Sequence, residues 1–164
     1  MSVKDITKIS MLAALIFTIY LSGSMIMYVE LFNFTVLLYG VTLPKKTAYL
    51  SLIVFCSLLI LVYGLQVWTL MYLVVFPQYI LIYHLVGSKV KSEYVLASVG
   101  FILAFACGTL IDLPFIIMSG LTSKALILRL LLGFQVSFGN GLCTFIATLY
   151  LLNPMRRVMM KLKS

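Results

Sequence analysis

Apolar runs with almost no polar interruption constrain this chain most. From Leu50 to Val62 nothing is more polar than Ser51 and Ser57, and similar runs recur along the whole sequence. A backbone inside such a run must satisfy its own N–H and C=O groups wherever water is absent, and only helices and closed barrels do so. A barrel needs alternating segments of about ten residues. These runs do not alternate, so helices are expected. The composition agrees. Of 164 residues, 63% are hydrophobic and 10% charged, against about 45–50% and 25% in soluble domains. Too little polar surface exists to cover a globule in water. A soluble enzyme, a nucleic-acid-binding module and a disordered chain are excluded, leaving an integral membrane protein.

The punctuation predicts an all-α bundle of six transmembrane helices, at about 6–22, 25–43, 47–64, 66–86, 94–118 and 126–152. Together they fill residues 1–164 as one membrane domain, because six spans of about 20 residues leave no room for a soluble one. Pro44-Lys45-Lys46 stops the second span, Tyr63-Gly64 turns the chain after the third, Gly87-Ser88-Lys89 closes the fourth and Ser119-Gly120 the fifth. Lys4 and Lys8, an apolar stretch and Ser22-Gly23-Ser24 also have the form of a signal peptide. Retaining the first span makes the charge pattern consistent. With the N-terminus in the cytoplasm, Lys4, Lys8, Lys45, Lys46, Lys89, Lys91, Arg156, Arg157, Lys161 and Lys163 all lie inside, ten of the twelve basic residues. Lys124 and Arg129 fall towards the outside. The positive-inside rule therefore puts both termini in the cytoplasm and turns the net charge of +8 into a topology signal.

Charges within spans are costly, about 2.5–3.5 kcal/mol each on insertion scales, which makes them functional candidates. Glu30, Asp112 and Arg129 are expected in the outer third of the membrane, on three different spans. Asp112 lies roughly 9 Å from the outer end of its span at 1.5 Å per residue. Asn33, Trp68 and Gln135 are expected at similar or slightly deeper levels. Asn140, between Gly139 and Gly141, sits near the middle of the last span and offers both donor and acceptor. Glu30, Asn33, Trp68, Asp112, Arg129, Gln135 and Asn140 thus form a candidate substrate-binding set in an outward pocket for a small polar solute. The competing reading is a structural Asp112–Arg129 pair with Glu30 snorkelling at the interface. Asp112 alone also suits a proton relay.

Small residues recur every fourth position on three spans. Gly100, Ala104 and Gly108 lead to Asp112, and Arg129 leads to Gly133, Ser137 and Gly141. Such rows let helix backbones approach closely. Ser10, Ala14, Thr18 and Ser22 form a third row, broadened by Ala13, that either packs inside the bundle or docks a partner. Pro77 in the fourth span removes a donor and is expected to kink it. The single histidine, the absence of GxxxxGK[ST] and three isolated cysteines leave no P-loop, metal site, cofactor site or catalytic constellation.

Six short spans, cytoplasmic ends and an outer polar site resemble the substrate-binding S component of an energy-coupling factor (ECF) vitamin transporter. The opening Lys8-Ile9-Ser10-Met11-Leu12-Ala13-Ala14-Leu15 is similar to that family's first helix with its AxxxA-type motif, Ser10 standing where the motif has Ala. Leu151-Leu152-Asn153-Pro154-Met155-Arg156-Arg157 is similar to its last span and tail. The resemblance implies a bacterial plasma-membrane subunit, not itself an enzyme, that captures a vitamin or precursor. It would dock through Ser10, Ala13, Ala14 and Thr18 on a shared transmembrane coupling subunit driven by two cytosolic ATPases. The mixed charges and aromatics suit a pyridoxine- or hydroxymethylpyrimidine-like solute. The MreD scaffold of the cell-shape machinery has a similar length and span count, and a small proton-coupled carrier is a third reading.

Single cysteines placed at Lys46 or Lys89 in a cysteine-free background should react with impermeant reagents only from the cytoplasmic side, and one at Ser119 only from outside. Labelling of position 46 from outside would invert the topology.

Overall fold

The computed structural model describes residues 1–23, 25 and 30–161. Its six helices are α1 Val3–Gly23, α2 Phe32–Thr42, α3 Lys45–Tyr63, α4 Val67–Lys89, α5 Glu93–Met118 and α6 Ser123–Lys161. Local chemistry explains several of the boundaries. The backbone N–H of Ser2 donates to Asp5 Oδ2 at 2.8 Å and that of Asp5 to Ser2 Oγ at 3.2 Å, a reciprocal box that opens α1. Gln66 and Thr69 form another at the start of α4. Gly64, with φ at 84°, ends α3, and Gly120, with φ at 55°, turns the chain between α5 and α6. The broken runs at Pro44, Gly64 and Gly120 therefore became the expected connections. Pro77 is accommodated within a continuous α4.

Five helices are long and apolar enough to cross a membrane, and the chain is a multi-pass membrane protein by that measure. The expected second span is the exception. Its helix has 11 residues, about 16 Å at 1.5 Å per residue, and part of the stretch expected to extend it lies outside the described residues. At its other extreme, α6 runs 39 residues, through Pro154 and beyond the expected end near residue 152. Outward-facing side chains such as Leu61, Val74, Ile102 and Leu131 are more than half exposed, as a hydrocarbon solvent allows.

Helix α2 is buried along nearly its whole circumference. Phe32 to Gly40 and Thr42 are all buried, and α2 contacts each of the other five helices. A helix that is apolar all round belongs in an interior. Consecutive contacts link α1, α3, α4, α5 and α6 into an arc around it, open between α1 and α6 among the described residues. Phe32 anchors the packing. Its ring lies 5.6 Å from Tyr20 of α1, 5.0 Å from Phe55 of α3 and 4.6 Å from Phe76 of α4, centroid to centroid. Tyr39 Oη donates to the Leu12 carbonyl at 3.0 Å, and Tyr79 Oη to that of Leu103 at 2.9 Å. These phenols tie α2 to α1 and α4 to α5 without leaving a buried hydroxyl unpaired.

Small residues set how closely α2 is gripped. A methyl group on Gly40 would lie 2.5 Å from Tyr83 Cβ, and one on Gly100 2.8 Å from Leu37 Cδ1. The α1 start, α2 end, α4 end, α5 start and α6 tail share one end of the bundle. Lys4 and Lys8 line a groove with Leu43, Gly87 packs on Val41, and Asn153 hydrogen-bonds Glu93. This is the lysine- and arginine-rich end. Gly40→Ala should lower stability in detergent by about 1–3 kcal/mol, because Tyr83 Cβ has no flexible chain end that can yield. Gly133→Ala, with nothing within 4 Å of the added carbon, should be neutral or stabilising. Thermal unfolding of both variants measures the contrast.

Candidate functional site

The end of the bundle remote from the lysine cluster holds a cavity of about 710 Å³ between α5 and α6, with Tyr72 of α4 and Glu30 contributing to its wall. That volume falls within the range of roughly 300–1,000 Å³ typical of small-molecule sites. Two polar groupings define it. Near the α5–α6 turn, Arg129 Nε donates to Asp112 Oδ2 at 3.2 Å and Nη2 to Oδ1 at 3.1 Å. This fork is the bidentate geometry that guanidinium and carboxylate favour. Phe115, one helical turn beyond Asp112, places its ring centroid 4.2 Å from Arg129 Cζ, so the guanidinium is held by a carboxylate and an aromatic face together. The Arg129 and Asp112 side chains remain 38% and 41% exposed.

The second grouping lies deeper. Asn140 Nδ2 donates to Glu30 Oε2 at 2.8 Å. Eleven residues separate Arg129 from Asn140 on one helix, about 16 Å along its axis. Glu30 was expected level with Asp112 and Arg129 at the outer rim. It sits instead at the depth of Asn140, whose side-chain amide it accepts from.

The small-residue rows shape the space between these groups. A methyl on Gly108 would lie 2.6 Å from Ser137 Oγ, so α5 and α6 touch closely there. One turn further out the two helices leave Gly133 facing open volume, and both Gly108 and Gly133 line the cavity. Close approach at one level and an opening at the next produce a wedge-shaped site. Below it, Thr144 Oγ1 donates to the Asn140 carbonyl at 2.8 Å, turning a polar side chain back onto its own helix.

Of the seven residues expected to bind substrate, the structure brings Glu30, Asp112, Arg129 and Asn140 to one cavity wall. Asn33 is instead 3% exposed within the first turn of α2. Gln135 is exposed, and neither it nor Asn33 lines the cavity. Trp68 stands one residue removed. Its ring packs edge-on 5.6 Å from Tyr72, which does line the cavity, and its Nε1 donates to Gln66 Oε1 at 2.6 Å. Tyr72 and Phe115 escaped the sequence reading. Spacings of four from Trp68 and three from Asp112, each a helical neighbour relation, are the signals that point to them.

The α1 row has one orientation only. Ser10, Ala14 and Thr18 are exposed, whereas Ala13 is fully buried in the core. Thr18 Oγ1 donates to the Ala14 carbonyl at 3.0 Å and Ser22 Oγ to that of Thr18 at 2.8 Å. The hydroxyls thus satisfy themselves on their own helix and leave a smooth outer face. Beside it runs a groove of about 730 Å³ whose walls include Lys4, Lys8, Met11, Leu15 and Leu43. Among the described residues no group of three His, Cys, Asp or Glu side chains could hold a metal ion, and all three cysteines are free.

No family model matches this chain, and neither a curated protein nor a solved structure is significantly similar to it. The geometry therefore carries the functional argument alone. Because the Asp112–Arg129 pair is open to the cavity, its coupling energy should be that of a solvated pair, about 0.2–1 kcal/mol. A double-mutant cycle through Asp112→Ala and Arg129→Ala, read by unfolding in detergent, measures it. A coupling of several kcal/mol would show a closed structural tie instead.

Proposed function

We propose that this protein is the solute-capture subunit of an ATP-driven importer of the ECF type, with both termini in the cytoplasm of a bacterial cell. The observation that carries the reading is the cavity itself. Two carboxylates, a guanidinium and an amide from distant parts of the sequence converge on one space of ligand size at the end of the bundle opposite the basic residues. By the positive-inside rule that end faces outward. Charges this expensive to insert are retained where they meet a solute or one another.

The inner half supports the second part of the proposal. Ser10, Ala14 and Thr18 present a smooth exposed strip, and small side chains are what allow close helix–helix contact within lipid. A transmembrane coupling subunit seated there, with two cytosolic ATPases beneath it, would supply the energy. The aromatic and mixed-charge lining favours a small heteroaromatic vitamin or precursor of pyridoxine or hydroxymethylpyrimidine type. A scaffold role of the MreD kind draws on one observation, that Asp112 and Arg129 already satisfy each other. It predicts an empty cavity.

Mass spectrometry of small molecules released from the purified full chain separates these readings. Capture predicts one stoichiometric solute, depleted in folded Asp112→Ala and Arg129→Ala variants. A folded protein that never carries a solute would overturn it. Ala14→Trp should keep the solute, because the cavity lies at the other end of the bundle. It should lose co-purification with the coupling subunit and abolish uptake. Normal uptake by a well-folded Ala14→Trp protein would remove the docking role of α1.

A further inference from the structure

The charges around the cavity do not balance, and the imbalance specifies the ligand's charge. Arg129 spends two donors on Asp112 and packs against Phe115. Its positive charge is thereby matched by the nearer carboxylate. Among the described residues, Glu30 meets a neutral amide alone, Asn140 Nδ2, at 2.8 Å. The one ion pair among the described residues is Arg129–Asp112, and no other charged side chain lines the cavity. One carboxylate is therefore left without a counter-charge at the deep end of a largely apolar space, with Tyr72 on its wall. A buried charge without a partner is costly, and an arriving opposite charge recovers that cost.

We infer that the cavity selects a cationic solute, a small heteroaromatic or alkyl amine in its protonated form, whose N–H donors meet Glu30 while its ring or chain lies between Tyr72 and the α5–α6 wall. The inference rests on the solute-capture reading and narrows it. Asn140 acts as a positioning residue. Its amide occupies Glu30 Oε2 and fixes the carboxylate plane, so that the remaining oxygen presents its lone pairs to the ligand. Asp112 and Arg129 close the other end as a neutral polar unit. An anionic solute finds Arg129 already engaged by Asp112, and a neutral one leaves Glu30 uncompensated.

Three probes of one shape and different charge test this: the pyridylmethylammonium cation, pyridylmethanol and nicotinate, titrated calorimetrically into the purified full-length protein stripped of solute. The cation should bind about tenfold more tightly than the alcohol, the margin of a charge-assisted over a neutral hydrogen bond. Nicotinate should bind most weakly. Glu30→Gln keeps an acceptor for Asn140 while removing the charge, and should abolish the preference. Asp112→Asn should reduce it, because Arg129 then offsets Glu30. Arg129→Gln should increase it by exposing a second carboxylate. A merely structural network would not produce this sequence of signs. Equal binding of the three probes, preference for the alcohol or nicotinate, a preference surviving Glu30→Gln, or no binding of the cation at millimolar concentration would each overturn cation selection. The capture reading is judged separately, by whether a co-purified solute exists at all; a neutral or anionic one would sustain capture and reject the present inference.

Discussion

The structure depends on burying a helix too short to cross the membrane by itself. Helix α2 has 11 residues and almost no lipid-facing surface. Lipid offers no hydrophobic drive for one apolar helix to leave it for another, so association must come from close packing and a few hydrogen bonds. The contacts on α2 are of that kind. Phe32 meets rings from three helices, Gly40 admits Tyr83, and Tyr39 bonds the α1 backbone. The five longer helices are positioned by what they must enclose.

The cavity follows from the same constraint. Because α2 starts at the depth of Asn140, it fills only part of the bundle's height, and α5 and α6 continue outward past its beginning. Their small-residue rows bring them together at Gly108 and Ser137 and release them at Gly133. Among the described residues, the volume beyond the start of α2 is bounded chiefly by α5 and α6. Polar side chains line that open space, whereas the part of the bundle nearer the lysine-rich end is sealed by Leu37, Tyr83 and Leu96.

Much of this was legible in the sequence. The turn at Gly64, the basic residues at alternate connections and the convergence of the Asp112 and Arg129 rows all correspond to local spacing or local chemistry. The length of α2 was not legible, since Phe32–Thr42 is apolar enough to belong to a full span and its burial is decided by five other helices. The Glu30–Asn140 bond joins residues 110 apart in sequence, beyond any periodic signal. Asn33 and Gln135 show the limit of reading polarity as location. A polar residue in an apolar run announces that it needs an environment, without stating on which side of its helix that environment lies. The proline in α6 taught a related lesson. Pro154 removes one donor, but Leu152 and Met159 on either side of it are buried, and packing carries the helix onward.

One aromatic contact has an optical consequence. The chain has a single tryptophan, and its indole rests edge-on against Tyr72, whose ring borders the cavity. The indole N–H is engaged by Gln66 Oε1 at 2.6 Å, which fixes the chromophore's orientation. Any shift of Tyr72 on filling or emptying of the cavity alters the field and the packing at that indole. The protein thus contains a one-site intrinsic fluorophore coupled to its pocket through one side chain, with emission free of interference from other tryptophans and requiring no attached dye.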